Sequence, residues 1–173
     1  MEVRLTKVSD LTHRLEVTRR DGTRDTAELA SRSFLLHDFI HYAIETEAGL
    51  DQSFWGLLAG GKTLADVHES MPSASGPASP VMRSEAAVTE SVVRALTAVI
   101  QDRADSAAAI AALGLLFEAQ ERQLPPWLTI EFVDRVHDTV RRLRGQWRAT
   151  PYGSVMRLQF GTAASTTARS LDS

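Results

Sequence analysis

Hydrophobic and polar residues alternate three times near the start of the chain. Val3 and Leu5 oppose Arg4 and Thr6 over residues 2–8, and Leu15 and Val17 share one side of residues 13–19. Ala27 and Leu29 complete the inner side of a third run over 23–29. A period of two is the mark of a half-buried strand. Arg20-Asp21-Gly22-Thr23 separates the second and third runs, and Asp-Gly at that place signals a hairpin with a type I′ turn, which needs positive φ at both central residues. The pattern predicts a three-stranded antiparallel meander.

The period then changes to that of a helix. Leu35, Leu36, Phe39, Ile40, Tyr42, Ala43 and Ile44 cover about 200° of a helix spanning 34–47. Ser31 or Ser33 would cap it and Gly49 would end it. Two short helices follow, one over 54–59 stopped by Gly60-Gly61 and one over 64–70 opened by Thr63. Residues 71–80, MPSASGPASP, carry no charge and read as a flexible connector. Beyond it come three amphipathic helices. The first, 84–103, carries Val88, Val92, Leu96, Val99 and Ile100; the second, 107–122 with Ser106 as its cap, carries Ile110, Leu113 and Phe117; the third, 129–145, carries Val133, Val136, Val140 and Leu143. A last alternating run, 155–160, has Met156, Leu158 and Phe160 on one side and is expected to pair with the meander, where those residues find an apolar surface. Residues 161–173 read as a disordered tail. The result is a single α+β domain over 1–160, a small antiparallel sheet packed on a helical middle region.

Composition narrows the function classes. The 173 residues suit one domain. A net charge of −3 offers no basic face for nucleic acid. There is no cysteine, so a metal site would have to use His, Asp and Glu. No run approaches the ~18 apolar residues of a membrane span, and the first ten residues lack a signal core. A soluble cytoplasmic protein with no membrane partner is the expectation.

Candidate chemistry lies on the polar side of helix 34–47. His37, Asp38, His41 and Glu45 form a narrow stripe there, with no Lys or Arg in the segment. Its plainest reading is the solvated edge of a mostly buried helix. Histidines at i and i+4, however, can converge on one cation from one helix face. His37 and His41 are therefore candidate ligands for a divalent ion, Zn, Mn or Fe, with Asp38 as base or ligand in a site that could be hydrolytic. Glu45, about 12 Å from His37 along a straight helix, suits an outer partner that orients His41. A third ligand has to come from elsewhere; His137 is the first candidate, beside Asp134, Glu118, Glu121, His68 and Glu69.

Gly56-Leu57-Leu58-Ala59-Gly60-Gly61-Lys62-Thr63 also matches the phosphate-binding string G-x-x-x-x-G-K-[ST]. In that motif Gly56, Gly61, Lys62 and Thr63 would cradle a nucleotide, but a buried strand should precede it and a long helix follow. Neither is expected here.

The block LHDFIHYAIETEAGLDQSFWGLLAGGKTL at 36–64, with WRATPYG at 147–153, resembles a segment of uncharacterised bacterial proteins. The resemblance covers a minor part of the chain and implies no activity, so it assigns no functional residue. Three functions are therefore open. The first is a divalent-metal site on helix 34–47. The second is a non-catalytic interaction module whose helical middle offers an apolar surface to a second copy or another protein. The third is nucleotide binding at 56–63.

Overall fold

The computed structural model describes residues 1–31, 35–70 and 84–161. The connector expected at 71–80 and the tail beyond Gly161 lie outside those residues, as does Ser33. Four strands form one antiparallel sheet: β1 (Glu2–Lys7), β2 (Thr12–Thr18), β3 (Arg24–Ala30) and β4 (Val155–Gln159), in the order β3-β2-β1-β4. The C-terminal strand thus joins the meander beside β1, as its apolar alternation requires. Val3 lies between Val17 and Leu158, and Leu5 between Leu15 and Met156, so all six bury on one face. Cross-strand pairs of this kind fix the register, since a slip of one residue would turn every apolar side chain outwards.

The β2–β3 turn differs from type I′. The Gly22 N–H donates to the Arg19 carbonyl and the Arg19 N–H to the Thr23 carbonyl. Only Gly22 takes positive φ, at 84°, which is the three-residue loop with a left-handed glycine. Asp21 instead accepts from the Thr23 N–H and hydroxyl, and that bond favours the longer loop.

Six helices lie among the described residues: α1 (Leu36–Ala48), α2 (Phe54–Ala59), α3 (Leu64–Ser70), α4 (Glu85–Ile100), α5 (Ser106–Glu118) and α6 (Ile130–Ala149). Gly49 ends α1 in the left-handed conformation, φ 68°, as its position suggested. Two caps fall on other residues than expected. Ser31 stands 3.1 Å from the buried His13 Nδ1 and does not cap α1. Asp105, not Ser106, caps α5 through the Ala108 N–H, while the Ser106 hydroxyl donates to Asp134 Oδ1. Helix α6 also continues past Gly145 to Ala149, burying Trp147. Lys7 Nζ donates to the Trp147 and Thr150 carbonyls at its end, a cation at the negative end of the helix.

Helix α1 lies at the centre of the domain. Tyr42 donates to the Gln159 carbonyl and packs edge-on to Phe160 on the sheet side. Helices α4 and α6 both pack against α1, and α2 crosses its C-terminal half. Helix α2 folds back tightly on the loop that precedes it: a Cβ at Gly56 would lie 2.4 Å from the Asp51 Cα. Gly56→Ala is expected to destabilise the domain by about 1–3 kcal/mol, the usual cost of overpacking, measured as a lower urea midpoint.

Candidate metal centre

The polar stripe of α1 is not a solvated edge. Asp38, His41 and Glu45 are 5 %, 1 % and 0 % exposed, and only the His37 side chain, 40 % exposed, reaches the surface. The reason is non-local. Helix α4 packs along α1, and the start of α2 closes over the far end, with Phe54 against the His41 ring at 5.9 Å.

What α4 contributes is Glu90. Its Oε2 lies 3.4 Å from His37 Nε2 and 3.3 Å from His41 Nε2. The two imidazole rings are 4.6 Å apart. Taking one ligand atom from each of His37, His41 and Glu90, all three lie within 4.8 Å of one another. Four residues along a helix bring the two histidines to one side, and Glu90, half-buried and 49 residues away in sequence, supplies the third group. His137 does not belong to this cluster; it sits partly buried on α6.

Behind each ring stands a carboxylate. His41 Nδ1 is 3.1 Å from Glu45 Oε1. Glu45 Oε2 accepts from the N–H groups of Trp55 and Gly56 at 2.7 and 3.0 Å, so one buried side chain both orients His41 and satisfies the first N–H groups of α2. On the other histidine, Asp38 Oδ1 is 3.9 Å from His37 Nδ1, close enough to act as a charge but too far for a hydrogen bond. Asp38 therefore faces the side of His37 turned away from Glu90. Its Oδ2 is buried without a hydrogen-bond partner among the described residues. Glu90 Oε1 is held by Arg94 Nε at 3.1 Å, which leaves Oε2 to the histidines.

The titration behaviour follows from these contacts. Asp38, and then Glu90, hold the His37 pKa up at about 9 against the opposing effect of burial. Burial works against charge on His41, yet Glu45 and Glu90 together keep its pKa above the ordinary value. Burial likewise opposes charge on Glu90, and the two histidines nevertheless hold its carboxyl well below the usual range. Without a metal, the cluster sets a carboxylate between two imidazole rings whose pKa values are both raised.

From the sequence, nothing distinguished Glu90. It lies roughly opposite Val92 on the helix, and with Arg94 it reads as an ordinary exposed i, i+4 ion pair. The signal that could have found it is the histidine pair: two imidazoles one turn apart on a helix leave two ring nitrogens that call for an acid from a neighbouring helix.

The glycine-lysine string forms α2, a turn and the start of α3, with no strand before it. Gly56 is inside α2, and Gly61 makes the turn at φ 107°. Thr63 is used as a helix cap, exchanging hydrogen bonds with Asp66. Arg19 Nε donates to the Leu58 carbonyl at 2.7 Å, and a terminal nitrogen donates to the Lys62 carbonyl. The loop thus turns carbonyl groups towards a buried cation, the reverse of a phosphate cradle of N–H groups. Lys62→Ala is expected to leave the melting temperature unchanged, and Mg-ATP to produce no shift; a ligand at ~100 times its Kd would add about 2.7 kcal/mol.

Fold and site together define an α+β protein with a partly buried His–Glu–His cluster between two helices. No protein family, no curated protein and no solved structure matches the chain. No helix among the described residues is long and apolar enough to cross a membrane.

Proposed function

We propose that His37, His41 and Glu90 bind a divalent metal ion. The observation that carries this reading is the distance of Glu90 Oε2 from the two imidazoles, with all three ligand atoms within 4.8 Å of one another. Zinc bonds of about 2.0–2.1 Å in a tetrahedron place neighbouring ligand atoms about 3.3–3.4 Å apart, and Glu90 Oε2 stands 3.4 and 3.3 Å from the two Nε2 atoms. The surroundings agree. Glu45 occupies the outer position that holds a ligating imidazole with its Nδ1 protonated, and Asp38 takes the same side of His37.

Charge balance favours a divalent ion. The carboxylates of Asp38, Glu45 and Glu90 face Arg94 and two imidazolium rings. One divalent ion replacing two protons leaves the net charge of the cluster unchanged. The soft thiolate metals have no ligand here, and a nitrogen-rich set with one carboxylate suits Zn, Mn or Fe. Three protein ligands leave a position open, reached from the surface past His37. Hydrolysis would need a base on that side; Asp38, behind His37, is better placed to orient the ring than to take a proton from bound water.

The test is calorimetric titration of chelator-treated protein at pH 8 with Zn²⁺, Mn²⁺ and Fe²⁺. One equivalent of at least one of them should bind. His37→Ala and Glu90→Gln should each weaken it by at least the roughly 100-fold that even an outer partner can contribute. No heat and no thermal shift with any of the three ions would end this reading.

A further inference from the structure

Helix α5 is an anomaly of composition. From Ala107 to Phe117 it reads AAAIAALGLLF, without a polar residue. A helix apolar on every side is normally buried on every side. Only Ala109, Leu113 and Phe117 are buried. Ala107, Ala108, Ala111, Ala112, Leu115 and Leu116 face outwards, and no described residue covers them. Leu115 is 70 % exposed.

Beside this face runs a groove of about 340 Å³ between α4 and α5, walled by Ala95, Ala112, Leu113 and Leu116, with Arg94 and Gln120 along it. A knob and a hole therefore sit next to each other on one surface. Arg94 adds a charge to the hole. Among the described residues its Nε alone is engaged, on Glu90, and its terminal nitrogens remain available. The knob carries the matching acid: Glu118 is exposed three residues after Leu115, one turn further along the same side of the helix.

We propose that this face pairs with a second copy of the same chain about a two-fold axis. Leu115 of each copy enters the α4–α5 groove of the other, and Glu118 reaches the partner's Arg94. Self-complementarity of this kind is what a two-fold interface demands, because one patch must serve as both partners. An unrelated partner would explain the apolar face, but not the acid on the knob opposite the base in the hole. The inference does not rest on metal binding, although Arg94 also holds Glu90 Oε1, so association is read in metal-free protein.

The experiment is sedimentation velocity of the full chain from about 1 to about 200 µM, a range that brackets micromolar association. The wild type should pass from monomer to dimer. Leu115→Asp, at an exposed position that leaves the thermal melt unchanged, should remain monomeric throughout. Glu118→Arg should weaken the dimer at least tenfold, and Glu118→Arg with Arg94→Glu should restore most of the loss. A wild type that stays monomeric across the range, a Leu115→Asp variant that still dimerises, or a double variant no stronger than Glu118→Arg would each overturn the proposal.

Discussion

Glu45→Ala should be the most damaging single substitution in the polar cluster, lowering stability by about 3–5 kcal/mol. Glu45 is completely buried, and it is the shared partner of the Trp55 and Gly56 N–H groups and of His41. Removing it leaves two buried N–H donors and the buried His41 Nδ1 without a partner, and an unmade buried bond costs more than a made one gains. At this chain length the melting temperature should fall by on the order of 10 °C. Glu45→Gln should be only a little milder, because an amide has one acceptor atom and its NH₂ would face a donor. Equilibrium urea unfolding checks this. A loss below about 1 kcal/mol would show that α2 docks without the carboxylate.

Metal affinity should rise steeply with pH, over a higher range than free histidine would suggest. Imidazole ligates only when neutral, and His37 holds its proton up to a pKa of about 9 while His41 is also raised. Each bound ion therefore displaces the His37 proton up to about pH 9, and a second from His41 at pH values where that ring is charged. The apparent association constant for Zn²⁺ should gain up to roughly two decades per pH unit between about pH 6.5 and 8, flattening near 9. Metal-free protein should show the opposite trend. A raised histidine pKa stabilises the fold fully below the unfolded value near 6.5, and that contribution disappears as pH climbs through about 9. Glu90, depressed, contributes above the ordinary carboxylate range and is lost only in strong acid. Chelated protein should thus lose stability from pH 6.5 to 9 while zinc-loaded protein gains it. Thermal melts in parallel buffers measure both, and a zinc affinity flat between pH 6.5 and 8 would contradict the two-proton exchange.

Sheet and helix positions could be read from the chain because they depend on local periodicity. Leu15 and Val17, or Val133, Val136 and Val140, announce their elements within a few residues. The caps were harder. Ser31 and Ser106 are ordinary capping residues by type, but each found a distant partner, His13 and Asp134, that pattern alone does not contain. The site divides in the same way. His37 and His41 share a face because of helical geometry, and Glu45 falls one turn beyond His41 for the same reason. Burial of the stripe depends on α4 packing along α1, and Glu90 is one acid among many until that packing is known. Glu45 was legible as the partner of His41, whereas its grip on the N–H groups of α2 depends on how the loop after α1 turns that helix back, a tight turn at Asp51 that Gly56 permits.

The position of β1 has a consequence for how the chain is made. Its one neighbour, β2, follows within a few residues, but the other, β4, is reached only at Val155–Gln159. On a ribosome adding ~5–20 residues per second, the outer edge of β1 stays open for on the order of ten seconds after the meander has emerged. An open edge is a template for pairing with another nascent chain, and Val3 and Leu5 are the residues it would present. Glu2 and Arg4, alternating with them on the other face, are the charges that keep that edge from finding the wrong partner before its own strand arrives.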